Sequence, residues 1–235
     1  MSSIGIIQTG ALNYDIAGRE EQVTGKGQRI PPLAFEEISV EAKQLLLDLG
    51  ESLGTDIRAA REAQIVEEHQ RTGGTKLPGP SHFPPTIATM LRHPNLYRRQ
   101  LELSIQLFGS GTISAREREL AVLRVAWLCR APNEWGEHVE IAKLCGVSSE
   151  EIERVTLGSS AAAWTDHERA LLRAVEELLG DQSMSDETWS TLACSWNDQQ
   201  LIELPVLVGV YHLMALQQNS LRVRLPDHNK GLLQR

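Results

Sequence analysis

Two side chains with acid/base chemistry, Glu134 and His138, lie four residues apart near the middle of the chain. Residues at this spacing share one face of an α-helix, one turn apart. A carboxylate beside an imidazole forms a proton-transfer pair, because the acid orients and polarises the base. The alternative is a surface pair that stabilises its helix by only a few tenths of a kcal/mol. The apolar residues around the pair favour burial, and therefore a functional role.

The elements that must position this pair are two consecutive helices. Ser114 followed by Glu117 is a capping box, which predicts a helix from this point to Cys129. Pro132 suits the first turn of the next helix, and Gly146 predicts where that helix ends. The candidate pair therefore lies in the first half of the second helix.

A third acid, Glu119, belongs to a run of alternating charges in the first of these helices. Charge runs are usually solvated, but Glu119 directly precedes Leu120 and so borders the apolar stripe of its helix. From the residues alone, both locations remain open. Arg116 and Arg118 in the same run are candidates to bind a substrate carboxylate, because a guanidinium group pairs with it bidentately. The alternative for each arginine is an exposed surface charge.

The rest of the chain predicts an all-α fold. Capping residues and the spacing of apolar residues indicate helices along most of the chain, with no convincing strand alternation. The predicted segments are residues 39–49, 55–68, 94–108, 114–129, 132–145, 165–179, 185–194 and 197–221, with a further capping box at Ser148. Residues 71–85 are rich in Pro and Gly and predict a long loop over the site entrance. We interpret residues 1–28 as an N-terminal arm and residues 29–235 as one helical domain.

Composition narrows the classes of function. A net charge of −8 over 235 residues argues against nucleic-acid binding, which needs a clustered positive excess. No uninterrupted apolar run approaches the length that spans a bilayer, and no secretory signal is recognisable, so we expect no membrane partner. Three widely spaced cysteines predict a reduced, cytoplasmic chain rather than a disulfide framework. The sequence contains no CxxC or HExxH motif, and we predict neither a metal site nor a cofactor.

A family resemblance rests on the same stretch of the chain. It is carried by the segment from Ser114 to Leu123, by Glu134-Trp135 followed by His138, and by the segment from Ala142 to Ile152. Together these resemble the carboxymuconolactone decarboxylase family, whose superfamily also contains the AhpD-type alkylhydroperoxidases. The similarity is best over about residues 91–155, and weaker over residues 29–32, 72–80 and 164–221. It implies an AhpD-like helical fold built around a helical hairpin.

The resemblance also distinguishes two branches of the superfamily. The thiol-dependent branch carries a Cys-xx-Cys-xxx-His motif, with a glutamate twelve residues before the first cysteine. In this sequence the histidine and the glutamate are present as His138 and Glu119, but the two cysteines are replaced by Ala131 and Glu134. Peroxide reduction needs a thiolate and a resolving thiol. We therefore expect the chain to belong to the branch without redox cysteines, and a thiol peroxidase is disfavoured.

The function implied by the resemblance is cofactor-free acid/base chemistry, with decarboxylation of a small oxygenated acid or lactone as the first choice. In this prediction His138 is the general acid/base, Glu134 orients it, and Glu119 relays a proton. Trp135 would form an apolar wall beside the leaving carboxylate. Isomerisation, lactone hydrolysis or a retro-aldol step on the same site are alternatives, as is a non-catalytic helical scaffold.

Further site residues are expected on the final helix. Family members resemble this chain in a Gly-x-Tyr followed by a later Asn, which implies substrate-binding roles for Tyr211, His212 and Asn219. A buried tyrosine with a satisfied hydroxyl is the alternative for the first of these. The family also forms trimers or hexamers through its helical hairpins, and we expect a homo-oligomer for this chain.

Overall fold

The computed structural model describes residues 15–44 and 84–235, and within them it is helical with no strand. The expected all-α class is therefore confirmed. The helices are α1 (Ile16–Glu20), α2 (Pro85–Met90), α3 (Pro94–Gly109), α4 (Ala115–Leu128), α5 (Pro132–Leu144), α6 (Ser149–Leu157), α7 (Asp166–Gly180), α8 (Asp186–Ala193) and α9 (Asp198–Leu221). A π-helical turn, Glu21–Gly25, continues α1, and short 3-10 turns occur at Phe35–Glu37 and Gly231–Leu233. The predicted helix 55–68 and nearly all of the predicted loop 71–85 lie outside the described residues.

Most of the predicted helix starts are confirmed by their caps. Reciprocal capping boxes form at Ser148 with Glu151 and at Thr165 with Glu168. The box predicted at Ser114 is only half formed, because its hydroxyl accepts from the Glu117 backbone N–H without the return bond from the Ser114 N–H. The Glu117 carboxylate contacts His167 and the Trp196 indole, and that competition is a tertiary effect.

Helix α4 is the centre of the fold. Its residues from Arg118 to Trp127 are all buried, and α5, α6, α7 and α9 pack around it. Arg124 on α4 and Glu176 on α7 form a buried ion pair at 2.8 Å. Gly158 lies against this pair with a positive φ of 83°, where a Cβ atom would collide with the Arg124 guanidinium. The close approach of α4, α6 and α7 therefore requires a glycine at this position.

The described part of the predicted N-terminal arm, residues 15–28, packs against the rest of the chain. Val23 is buried, and Arg19 donates from Nε to the Arg130 carbonyl at 3.1 Å. Glu20 accepts from the Leu232 backbone N–H at 2.8 Å, joining α1 to the C-terminal turn. These contacts join residues far apart in sequence, so local periodicity could not reveal them. The division at residue 28 itself stays a prediction.

Helix α9 presents an apolar stripe to the outside. Ile202, Val206, Leu213 and Leu216 are each 40–68% exposed, and Gly209 lies between them. Their spacing alternates between four and three residues, as in the seam of two helices packed side by side. We propose that a second copy of this chain covers the stripe, in keeping with the expected homo-oligomer.

Length and composition alone would also allow α9 to cross a membrane, unlike any other helix in the described residues. The opposite face of α9, however, packs against α4 and α7 as a core helix does. That face comprises Leu204, Leu207, Val208, Tyr211 and Ala215. The absence of a membrane partner stays a prediction.

Replacing Leu213 by Glu should weaken self-association, because a charge would have to be buried in the apolar stripe. Leu157 on α6 is an equally exposed leucine, 44% in both cases, so Leu157→Glu is a matched control. Light scattering at micromolar concentration should give a multiple of 26.1 kDa for the wild type and the control, and a lower mass for Leu213→Glu. A monomeric wild type would contradict the proposal.

Candidate active site

The candidate site lies between α4 and α5, which form the predicted hairpin. The connection is tight: Arg130 adopts a left-handed conformation with φ of 49°, and the fully buried Ala131 precedes the first turn of α5. This turn lays the two helices against each other. As a result Glu119, near the start of α4, faces His138 in the middle of α5.

The three predicted catalytic side chains are brought together and buried. His138 Nδ1 lies 2.7 Å from Glu119 Oε2, a hydrogen bond. His138 Nε2 lies 3.5 Å from Glu134 Oε2, within reach of a small displacement. Glu119 is completely excluded from solvent, and His138 and Glu134 are less than a tenth exposed. The surface-pair alternative for Glu134 and His138, and the solvated alternative for Glu119, are therefore wrong.

Two outer residues hold the carboxylates in place. Arg118 donates from Nε to Glu119 Oε1 at 2.9 Å and from Nη1 to the Phe108 carbonyl at 2.9 Å. Its guanidinium carbon also lies 4.1 Å from the centre of the Phe108 ring. On the other side, the Gln218 amide donates to Glu134 Oε1. Each carboxylate therefore has one partner besides His138.

These contacts determine how the histidine is oriented. Glu119 is paired with an arginine that stays charged, so it acts as an acceptor, and His138 Nδ1 carries a hydrogen. The second nitrogen, Nε2, is thereby turned towards Glu134. The sequence had suggested that Glu134 orients the ring and Glu119 relays protons. The distances favour the opposite division, with Glu119 as the orienting group and Glu134 as the partner at the free nitrogen.

The pKa values of His138 and of Glu134, which faces its Nε2 atom, are both raised. Burial alone would lower the pKa of His138, but the charges of Glu119 and Glu134 and the bond to Glu119 raise it above its ordinary value. Burial raises the pKa of Glu134, although His138 and the Gln218 bond oppose the shift. The positive charge of Arg118 and the negative charge of Glu119 cancel. The cluster is therefore neutral when His138 and Glu134 together hold one additional proton, on either residue. The raised pKa values of His138 and Glu134 both favour retention of this proton.

Tyr211, for which the resemblance implies a substrate-binding role, lies beside His138. Its ring meets the His138 imidazole edge-on, with centroids 4.9 Å apart. Burial raises the pKa of the Tyr211 hydroxyl well above its usual value, so the phenol keeps its hydrogen. Gln218, which the sequence analysis did not identify, lies two turns later on the same face of α9. That seven-residue spacing from Tyr211 is the signal that could have indicated it.

Two expected substrate contacts are not supported by the structure. The Arg116 guanidinium binds Glu151 at 2.6 Å and Glu168 at 2.8 Å, tying the start of α4 to α6 and α7. Trp135 is fully buried, donates its indole N–H to the Gln234 carbonyl, and packs against Trp127 with ring centroids 4.8 Å apart. Both side chains are satisfied within the fold, so neither is available to a ligand.

His212 and Asn219 lie in a different place from the catalytic cluster. They line a cavity of about 340 Å³ at the ends of α4 and α9, together with Arg19, Arg29, Arg222 and Cys129. Glu119, Glu134 and His138 are not among the residues that line it. The sequence analysis therefore assigned these residues to a single site, whereas the fold places them at two separate locations.

The cysteines do not form a redox pair in this arrangement. Cys129, Cys145 and Cys194 are all free thiols. Burial raises the pKa of the Cys129 thiol to about 12, which keeps it protonated at neutral pH. Within residues 15–44 and 84–235, no group of three His, Cys, Asp or Glu residues is arranged to hold a metal ion.

Comparison with known proteins identifies a matching family profile and two solved structures of similar fold. Residues 94–177 match the profile of the carboxymuconolactone decarboxylase family. A protein of unknown function from Agrobacterium tumefaciens, provisionally assigned to AhpD antioxidant defence, is 21% identical with a TM-score of 0.53, over 58% of this chain and 94% of its own. An uncharacterised peroxidase-related protein from Ralstonia eutropha JMP134 with an AhpD core is 16% identical with a TM-score of 0.56, over 76% and 89% of the two chains. These likenesses establish the fold. None of the curated proteins is a detectable relative of this chain.

The raised pKa values predict that stability depends on pH. The folded protein keeps the His138 proton to a higher pH than the unfolded chain, whose histidines titrate near 6.5. The stabilisation that results from the raised His138 pKa is fully present below pH 6.5. It is lost as pH rises through the folded-state pKa, and the free energy of unfolding then falls by up to about 1.4 kcal/mol per pH unit. The raised pKa of Glu134 acts in the same direction.

Urea unfolding between about pH 6 and 9 should therefore show a free energy of unfolding that falls with pH in the wild type and falls less in His138→Gln. The control is His93→Gln, on the surface, which should keep the wild-type slope. Equal slopes for the wild type and His138→Gln would contradict the raised pKa.

Proposed function

Since residues 94–177 match the profile of the carboxymuconolactone decarboxylase family, we propose that the protein is a cofactor-free acid/base lyase. Its first candidate reaction is decarboxylation of a small oxygenated organic acid or lactone. The observation that supports this proposal is the buried cluster in which Glu119 holds His138 Nδ1 while Nε2 faces Glu134. Such a cluster costs free energy to bury, and proton transfer is the work that the arrangement can do.

The proposed chemistry uses the proton that the cluster keeps. Carbon dioxide leaves when the bond between the carboxylate and its neighbouring carbon breaks, and the electron pair moves into the adjacent carbonyl as an enolate or dienolate. His138 or Glu134 then donates its proton to the carbon, and a proton taken up from the solvent reprotonates that residue. Glu119 and Arg118 act as positioning residues, because they hold the imidazole without meeting the substrate.

The neutral, pre-oriented cluster suits this step. A group that develops negative charge is stabilised by nearby donors that are already in place and do not have to reorganise. Protonated His138, held between two carboxylates, is such a donor, and Tyr211 fixes the ring from its edge. The raised pKa of His138 keeps the proton available close to neutral pH.

Other proton-transfer reactions would use the same residues. Isomerisation, lactone hydrolysis and retro-aldol cleavage differ in the bond that breaks, so release of carbon dioxide distinguishes decarboxylation from all three. A scaffold without activity is the alternative from a different class, and the cluster would then serve only to join α4 and α5. We also propose a cytoplasmic location, a small-molecule substrate and a trimeric or hexameric assembly.

A peroxidase-related role is the second candidate, because the Ralstonia protein of similar fold is described as peroxidase-related. It is disfavoured here by the cysteines. Ala131 and Glu134 occupy the positions of the two motif thiols, and the nearby Cys129 thiol is held protonated.

Replacing His138 by Gln should reduce turnover by roughly 10² to 10⁴, the usual loss when a general acid/base is removed. Glu134→Gln should lose activity through the missing proton acceptor. Glu119→Gln should be impaired because an amide can hold Nδ1 but cannot stabilise the charged ring. Turnover of a panel of oxygenated carboxylic acids and lactones, followed by carbon dioxide release and product analysis, measures all three.

The control is His93→Gln, which should retain wild-type turnover because His93 lies on the surface at the start of α3. Circular dichroism should show that each variant is folded. Near-wild-type activity in a folded His138→Gln protein would overturn the proposed role of the cluster.

Replacing Cys129, Cys145 and Cys194 together by Ala should leave turnover largely intact, because the proposed chemistry uses no thiol. A modest loss of stability is expected at Cys129, which packs against the core. Peroxide consumption by the wild type with a dithiol reductant should remain at background. A folded triple variant without lyase activity, or peroxide reduction that disappears in that variant, would favour the peroxidase-related role.

A further inference from the structure

The cavity at the ends of α4 and α9 is separate from the catalytic cluster and has its own chemistry. Its volume of about 340 Å³ falls in the range of small-molecule sites. Arg19 from α1, Arg29 from the following loop and Arg222 at the end of α9 reach it from three segments. Apolar surface is contributed by Val23 and Ala215, both buried. The cavity therefore combines an apolar floor with a cationic rim.

The charge of this cavity is opposite to that of the whole chain. The protein carries a net charge of −8, yet three arginines and His212 line the cavity, and none of the acidic residues within 15–44 and 84–235 does. Among the described residues, no carboxylate forms an ion pair with Arg29 or Arg222. Elsewhere in the fold, in contrast, Arg116, Arg118 and Arg124 all pair with glutamates. A pair of arginines without a carboxylate partner is what a small anion requires.

A purely structural role accounts for part of this arrangement. Arg19 donates to the backbone carbonyls of Cys129 and Arg130, and Arg29 donates to the carbonyl of Ser220, so both stabilise helix ends. The partial charge at a helix C-terminus is only about half of an elementary charge. The end of α9 therefore offsets only part of the two charges of Arg29 and Arg222, and a positive charge remains at these two arginines.

The Asn219 side chain favours a ligand that carries a hydroxyl or another hydrogen-bond donor. Its Nδ2 donates to the Cys129 carbonyl at 3.1 Å, which fixes the orientation of the amide. The amide oxygen, Oδ1, is buried and has no hydrogen-bond partner among the described residues. A buried acceptor without a partner is costly, and a ligand hydroxyl within the cavity would satisfy it.

We propose that this cavity is a binding site for a small hydroxylated organic acid carrying two negative charges. Arg29 and Arg222 bind the anionic groups, the hydroxyl donates to Asn219 Oδ1, and the carbon skeleton lies against Val23 and Ala215. A phosphate ester would satisfy the same arginines, so the shared chemistry is a small dianion with a hydroxyl group. The proposal does not depend on the proposed lyase activity, because the catalytic residues do not line the cavity.

Isothermal titration calorimetry of the full chain with L-malate, succinate and inorganic phosphate tests the site. Malate should bind with one site per chain, and succinate, which lacks the hydroxyl, should bind several-fold more weakly. In the double variant Arg29→Gln/Arg222→Gln, malate affinity should fall by about 10- to 100-fold, as expected for losing charge-assisted bonds. Arg224→Gln is the matched control, because Arg224 belongs to the same segment but does not line the cavity, and it should bind like the wild type.

Two further measurements keep the outcome independent of activity. His138→Gln should bind malate with wild-type affinity, and Asn219→Leu, which removes the acceptor for the ligand hydroxyl, should reduce the preference for malate over succinate. Malate binding that is absent at about 10 mM, or that survives unchanged in the double arginine variant, would overturn the proposal. Inorganic phosphate binding as tightly as malate would overturn the assignment to an organic acid and indicate a phosphate site.

Discussion

The Glu119 carboxylate is completely buried between Arg118 and His138, and the hairpin of α4 and α5 depends on this arrangement. An isolated carboxylate in a protein interior is too costly to keep, so both partners must lie within hydrogen-bond distance. Removing one partner of such a group typically costs about 3–5 kcal/mol, because the remaining charge is left uncompensated. The register between the two helices, and with it the direction of His138 Nε2, follows from satisfying this one group.

A second buried pair acts on the other side of the same helix. Arg124 meets Glu176 of α7, and Gly158 leaves room for the guanidinium. Arg124 also donates to the carbonyls of Val155 and Thr156 at the end of α6. Helix α4 is therefore held by a charged residue on each side within an otherwise apolar interior. A helix held in this way cannot slide or rotate easily, and the role proposed for the His138 imidazole on its neighbour needs that rigidity.

The helix boundaries were predictable because caps are local. Ser148, Thr165 and Asn197 each satisfy backbone groups within three residues of themselves, and the sequence shows both partners of the bond. Predictions failed where a side chain finds its partner far along the chain. The Glu117 carboxylate contacts His167 and Trp196 as well as the Ser114 hydroxyl, so only half of the predicted box forms. Arg116 is occupied by glutamates of α6 and α7. Local pattern carries no information about such competition.

By itself, the sequence determined the helical class, the hairpin and the three residues Glu119, Glu134 and His138, since spacing and family pattern are properties of the chain. Only the tertiary structure decided which carboxylate bonds to which ring nitrogen, because that depends on how α4 and α5 are rotated against each other. The same holds for the cationic cavity. Arg19 and Arg222 are 203 residues apart in the sequence, and only the return of α9 to the N-terminal segment makes them neighbours of each other and of Arg29.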